Sequence, residues 1–291
     1  MDLDSLRCFV AAATTLHFRA AAARVHLSPA AFSDRLARLE EALGAPLFRR
    51  TSRKVELTDA GAGLVPEVRA LLDRIDALPA RARADRGPVP YDLVVGTRYE
   101  LGLSWLCPAL TGLERARPER TLHLYNGDTP DLMTRLERGE LDAVVHSARL
   151  TRAGLAYAAL HDEDYVFVGA PGLRVRGPDD VRTLVLVDVT GDLPLFRYLL
   201  DATRATTPWP FRKVERMGGI GAIRRRLLDG GRVAVLPRYF VAPDLARRRL
   251  TLLMPRTRPR SDAFRLVYRA GHPREAEILA LAGDLRQIPL R

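Results

Sequence analysis

One capped helix constrains this chain more than any other feature. Ser28 followed by Pro29 offers a hydroxyl N-cap and a proline at the first helical position, where a missing amide costs nothing. Phe32, Leu36, Leu39 and Leu43 then recur on one face, and Gly44 stands just beyond as a stop. A helix with such a stripe needs neighbours. Upstream, Leu3, Leu6, Phe9, Val10 and Ala13 have helical spacing, and the alanine-rich stretch 19–25 lets a second helix pack close. Downstream, short extended runs over 47–50 and 55–58 flank the polar turn Thr51-Ser52-Arg53-Lys54, which describes a small hairpin.

Helix, helix, capped helix and basic hairpin make the winged helix-turn-helix pattern, whose third helix enters the DNA major groove while the wing reaches backbone or minor groove. The charge balance agrees: 46 basic against 35 acidic residues give +11 and a pI near 10.4, the background of a polyanion binder. All basic residues except Lys54 and Lys213 are arginines, so part of that excess is compositional. The expected DNA-contacting residues are Ser28, Pro29, Ala30, Ser33, Arg35 and Arg38 on the third helix. Arg49, Arg50, Arg53 and Lys54 follow at the wing.

From Thr58 a further helical pattern carries Leu64, Val68, Leu71, Leu72, Ile75 and Leu78 as one apolar stripe. Such a stripe predicts pairing with the same helix of a second copy. Pro79 and then Gly87-Pro88-Val89-Pro90 close this region, giving a DNA-binding domain over 1–60 and a linker and dimerisation segment over 61–88.

The remaining 89–291 changes rhythm. Strands over 93–95, 121–125 and 143–145 alternate with helices over 101–116 and 129–138, a βαβαβ series that implies a parallel sheet. A second series follows, with strands near 165–168, 184–187 and 233–236 and helices near 195–202 and 220–228. A strand over 264–268 and a helix over 273–286 return to the first unit. Two α/β lobes are therefore expected, lobe I over about 89–161 and 266–291, lobe II over about 162–265. In such sheets ligands bind beyond the carboxyl ends of the strands. That rule selects Thr97, Arg98 and Glu100 after the first strand, Asn126, Asp128 and Thr129 after the second, and His146 and Ser147 after the third. Arg98, Thr97, Thr129 and the helix start at Thr129-Pro130 favour a small anionic effector, which is the expectation; Glu100 and Asp128, if they face the cleft, favour an amine or zwitterion instead.

Catalytic readings carry less. Asp128, His146 and Ser147 lack a nucleophile elbow, and His161-Asp162-Glu163-Asp164 lacks a second ligand cluster, so neither catalysis nor a metal or other cofactor is expected. The arginine triplets 224–226 and 247–249 read as solvated faces. No apolar run approaches the length of a membrane span, the N-terminus lacks a signal pattern, and Cys8 and Cys107 cannot form a disulfide framework, so cytoplasmic residence is expected.

The strings Phe18-Arg19-Ala20-Ala21-Ala22-Ala23-Arg24-Val25-His26-Leu27-Ser28-Pro29-Ala30-Ala31-Phe32-Ser33, Leu43-Gly44-Ala45-Pro46-Leu47-Phe48-Arg49-Arg50 and Leu57-Thr58-Asp59-Ala60-Gly61 closely resemble the signature of LysR-type transcriptional regulators. Gly139-Glu140-Leu141-Asp142-Ala143 and the stretch 228–237 resemble two recurring stretches of that family's effector domain. The resemblance implies a linker helix that dimerises and a two-lobed domain of periplasmic-binding-protein type with a small effector between its lobes. It also implies a homodimer or homotetramer on double-stranded DNA, with RNA polymerase as a further partner. Three positions depart from the pattern: Arg19 replaces a capping hydroxyl that touches phosphate, Ala20 a basic residue, and Asp34 a further one. The expected function is an effector-controlled regulator without enzymatic activity. The alternatives are a two-lobed α/β enzyme with a DNA- or partner-binding appendage, or an effector-independent DNA-binding protein.

Overall fold

A computed structural model describes residues 2–50, 54–76, 78–81, 89–147, 152–205 and 209–290. The first domain consists of α1 (Leu3–Thr15), α2 (Phe18–Arg24), α3 (Pro29–Leu43) and a hairpin of β1 (Phe48–Arg50) and β2 (Val55–Leu57). The hairpin is antiparallel, with Phe48 opposite Leu57 and Arg49 opposite Glu56. Each helix starts where a side chain can accept from its free amides: Asp2 from Ser5 N at 2.8 Å, His17 from Ala20 N at 3.2 Å, Ser28 from Ala31 N at 3.2 Å. Gly44 ends α3 at φ 69°, a conformation that favours glycine. Phe9, Phe18, Phe32 and Phe48 fill the centre, the Phe18 and Phe48 rings meeting edge to face at 5.4 Å.

α4 (Asp59–Asp76) follows, then α5 (Leu78–Arg81). The apolar stripe expected to meet a second copy is divided. Val68 and Leu72 are buried in the core of their own domain beside Val65, Leu6 and Phe9, and α1 is their neighbour. Leu71 and Leu78 are exposed, at 43% and 57%. Val68 and Leu72 are therefore intrachain core residues, and periodicity alone could not separate the two faces. Leu6, Leu43, Leu64, Val68 and Leu71 line a groove of about 400 Å³ beside the exposed edge of α4.

The second half holds two five-stranded sheets. The first orders its strands β4-β3-β5-β12-β6, from β3 (Tyr91–Thr97), β4 (Arg120–Asn126), β5 (Ala143–His146), β6 (Leu155–Glu163) and β12 (Asp262–Arg269). The second orders β11-β7-β10-β8-β9, from β7 (Tyr165–Gly169), β8 (Val185–Asp188), β9 (Lys213–Arg216), β10 (Arg232–Pro237) and β11 (Thr251–Leu252). β3 runs parallel to β4 and β5, and β8 parallel to β9 and β10. β12 and β6 are antiparallel additions to one sheet, β7 and β11 to the other. The chain passes between sheets at Asp164 and again between Leu252 and Asp262. Asp162, Glu163 and 262–265 thus belong to the first sheet, although the boundaries expected from sequence put them in lobe II.

Helices cover both sheets: α8 (Thr129–Glu137) and α12 (Glu275–Arg286) on the first, α9 (Phe196–Thr203), α10 (Ile220–Leu228) and α11 (Arg238–Ala246) on the second. After β3 the chain coils continuously through α6 (Tyr99–Leu101), a π-helical turn (Gly102–Leu106) and α7 (Cys107–Ala116). Pro108 explains the widened turn: its ring would strike the carbonyl four residues back, and a π turn relieves that clash. The arginine triplets are not simply solvated. Arg224 and Arg249 both clamp Asp244, whose side chain is fully buried, while Arg226 and Arg232 hold Glu215.

Replacing Leu71 with Asp should lower the oligomeric state in sedimentation while the unfolding midpoint stays near wild type. Val68→Asp should instead unfold the DNA-binding domain, since an unpaired buried charge costs about 3 kcal/mol or more. Equal assembly in the Leu71 variant would remove α4's outer edge as the interface.

Candidate nucleic-acid interface and effector cleft

The first turn of α3 is open to a large partner. Ser28, Pro29 and Ala30 are exposed and Ser33 half-buried, so backbone and short side chains can approach DNA without a clash. The basic residues behind them are engaged within the protein. Arg35 reaches back to Asp4 at 3.1 Å and Asp2 at 3.5 Å, and Arg38 pairs with Asp34 at 2.8 Å. On the wing Arg49 is exposed, while Lys54 pairs with Glu56 on the same strand end. Arg53 lies outside the described residues, as does the Arg50 side chain. His17 caps α2, so Arg19 does not cost that helix its cap. Arg19 and Arg24 are exposed, and among the described residues no acid pairs with either. Reading position 19 only as a lost hydroxyl misses a guanidinium available to phosphate.

The cleft is built from the strand ends the topology rule selects. Thr97, closing β3, is fully buried, and its hydroxyl has no hydrogen-bond partner among the described residues. Arg98 turns its Nη2 to Glu163 Oε1 and to Ser147 Oγ, each at 3.4 Å. Glu163 ends β6 with its side chain wholly buried, and Tyr165 donates its hydroxyl to the other carboxylate oxygen at 2.8 Å. Burial pushes the Glu163 carboxyl up, against the pull of Arg98 and the Ser147 and Tyr165 hydroxyls. Burial also works against the Arg98 charge, yet Glu163, with Tyr239, Tyr165 and Glu100, holds it above its ordinary value. Arg98 does not stand free for an anion, which corrects the basis of the anionic-ligand expectation.

Other expected residues separate into roles. Asp128 is exposed and caps α8 by accepting from Asp131 N at 3.0 Å, so it serves the helix rather than the cleft. Thr129 Oγ1 meets His146 Nε2 at 2.8 Å, and His146 is buried. Burial, then the Arg98 charge, lowers its pKa to about 4. Asp128, His146 and Ser147 therefore form no relay. Asn126 lays its Oδ1 against the turn at Gly102, where a Cβ would come within 2.2 Å of it, and that oxygen has no hydrogen-bond partner among the described residues. Glu100 crosses the cleft and accepts from Gly221 N at 3.1 Å. Sequence reasoning weighed Glu163 only as part of a metal-like tract and missed Tyr165 and Tyr239 as site residues. Tyr239, in the first turn of α11, packs edge to face on Phe264 of β12 at 5.8 Å, and its hydroxyl has no hydrogen-bond partner among the described residues.

Residues 3–62 match the family described as bacterial regulatory helix-turn-helix protein, lysR family, and residues 86–288 match the LysR substrate binding domain. The chain belongs to the LysR family. It is a LysR-type transcriptional regulator: a DNA-binding domain joined to an effector-binding domain. A probable hydrogen peroxide-inducible genes activator of Streptomyces viridosporus is 30% identical over 294 residues, 98% of this chain and 94% of that protein. One of Mycobacterium leprae is 33% identical over 187 residues, 64% of this chain, and this chain spans 60% of that relative. Among solved structures, a full-length OxyR point variant from Pseudomonas aeruginosa superposes with a TM-score of 0.77 at 24% identity, covering 100% of this chain and 96% of that one. It shares the fold.

In this LysR-family chain, Arg98→Ala should destabilise the effector domain by about 3 to 5 kcal/mol in urea unfolding, because Glu163 is left buried without its partner. Adding Glu163→Gln should recover part of the loss; additive losses would show that the two are not coupled.

His146 sets a pH dependence of known sign. Its folded pKa lies below the unfolded value, so the unfolded chain binds more protons between about pH 4 and 6.5, and stability falls as pH falls through that window. The expected loss is about 3 kcal/mol. Urea midpoints across the window should flatten in His146→Gln, and an unchanged slope would place the titration elsewhere.

Proposed function

We propose that this regulator answers to a small polar molecule held between its lobes, and that it has no catalytic activity of its own. One observation carries the reading: Thr97 Oγ1, Arg98 Nε and Asn126 Oδ1 on the first lobe and the Tyr239 hydroxyl on α11 are buried without hydrogen-bond partners among the described residues. Leaving such groups unsatisfied costs about 1 to 3 kcal/mol each, so they suit a ligand that offers both donors and acceptors. Because Arg98 already faces Glu163, a molecule of balanced charge fits better than a simple anion.

The DNA-binding surface comprises the first turn of α3, with Ser28, Pro29, Ala30 and Ser33, flanked by Arg19, Arg24 and Arg49 as phosphate contacts. Arg35, Arg38 and Lys54 join it by exchanging their acidic partners for phosphate. Two copies assemble through the groove of Leu64 and Leu71 together with Ile75 and Leu78, as a dimer or a pair of dimers, in the cytoplasm. Promoter-bound dimers would be placed to meet RNA polymerase.

Relatives named for hydrogen peroxide raise a second input, oxidation of a thiol. Cys8 and Cys107 are the chain's cysteines. Cys8 is buried in the DNA-binding domain, where burial pushes its thiol up, and Cys107 is exposed on α7 of the first lobe. No cysteine stands between 108 and 291, so the second lobe has no thiol to oxidise. A raised thiol in one domain and a lone one in another suit sensing poorly.

Thermal-shift screening of amino acids and other small polar metabolites should yield a ligand that also alters the DNase footprint at a site selected from genomic fragments. The ligand response should persist in Cys8→Ala/Cys107→Ser. A footprint changed by peroxide in the wild type and unchanged in that variant would replace the ligand reading with a redox one.

A further inference from the structure

Helix α10 begins at a half-buried end without a cap from its own chain segment. Gly219 at its N-cap has no side chain to accept from the free amides, and Gly221 follows two residues on. The acceptor arrives from the other lobe: Glu100 Oε1 lies 3.1 Å from Gly221 N. A Cβ at Gly219 or Gly221 would stand 3.3 or 3.2 Å from that oxygen, so both glycines leave the carboxylate room. The backbone of Glu100 is itself fixed, since Ser104 Oγ donates to its carbonyl at 2.6 Å in the turn leading to the π segment.

We propose that the Glu100 carboxylate is a latch between the lobes, capping α10 of the second lobe from the first and holding the cleft closed over the effector site. This rests on the effector reading above for its purpose, though not for its geometry. An anion at a helix N-terminus gains from the free amides and from the helix dipole together, and the contact is lost when the lobes part. Tyr239, 8% exposed, packs on Phe264 of the first lobe from α11 of the second, and its hydroxyl has no hydrogen-bond partner among the described residues, so the lobes also meet through this side chain.

Hydrogen–deuterium exchange and X-ray scattering on the full-length protein test the latch. Glu100→Ala should speed exchange across 219–223 roughly ten-fold and enlarge the radius of gyration. Acetate at tens of millimolar should restore the protection in that variant, and chloride should not. Gly219→Asp, which caps α10 in its own chain and repels Glu100, should enlarge the molecule while α10 stays protected. Unchanged exchange and size in Glu100→Ala, or a compact Gly219→Asp, would overturn the proposal. None of these readouts needs the effector, so a screen that finds no effector defeats the functional reading and leaves the latch to its own result.

Discussion

The carboxylate of Glu163 sits where the chain first leaves one sheet for the other, and the effector domain is organised around neutralising it. It has no access to solvent, so it must be matched from within: Arg98 arrives from the end of β3, Tyr165 from the start of β7, and Ser147 from the loop after β5. Three strand ends in two lobes are thereby drawn to one point. Tyr198 stacks on Tyr165 at 4.1 Å and donates to Asp262 at the second crossing, which ties both crossings into one polar hinge. Tyr239 then reaches from α11 into the first lobe's core beside Phe264. A hinge of this kind has few soft degrees of freedom, which suits two discrete arrangements better than a continuum.

What the residues revealed in advance was whatever depends on local chemistry. The Ser28-Pro29 start and Gly44 stop of α3, and the alternation of apolar strands with amphipathic helices, are written in neighbouring positions and folded as read. Elements held by distant partners were hidden. β6 contains Ala156, Ala158, Ala159, His161 and Asp162, poor strand formers, and exists because β12 pairs along it from about a hundred residues away. α11 follows β10 without a break and contains Pro243, so no start or stop marks it.

The site divides in the same way. Thr97, Arg98 and Glu100 were legible because strand ends follow from the fold class, but the partner of Arg98 stands 65 residues on, inside the strand that propensity did not show. Asp128 looked like a cleft residue and is a cap, because an Asp before Thr-Pro fits either description until the helix is seen. The stripe on α4 was likewise one signal with two destinations. Its inner half closes the first domain, and only its outer half is left for a second copy.

If Arg35, Arg38 and Lys54 contact DNA as proposed above, their acid partners alter the thermodynamics of binding. When Arg35, Arg38 or Lys54 exchanges an aspartate or glutamate for a phosphate, the freed carboxylate remains close to the polyanion and must recruit a cation of its own. The entropy gained by releasing ions from DNA is then partly returned by ions taken up at the protein. On the contacts proposed above, the salt dependence of binding is weaker than a count of the cations on this surface implies, and discrimination rests on groove shape and on the uncharged first turn of α3.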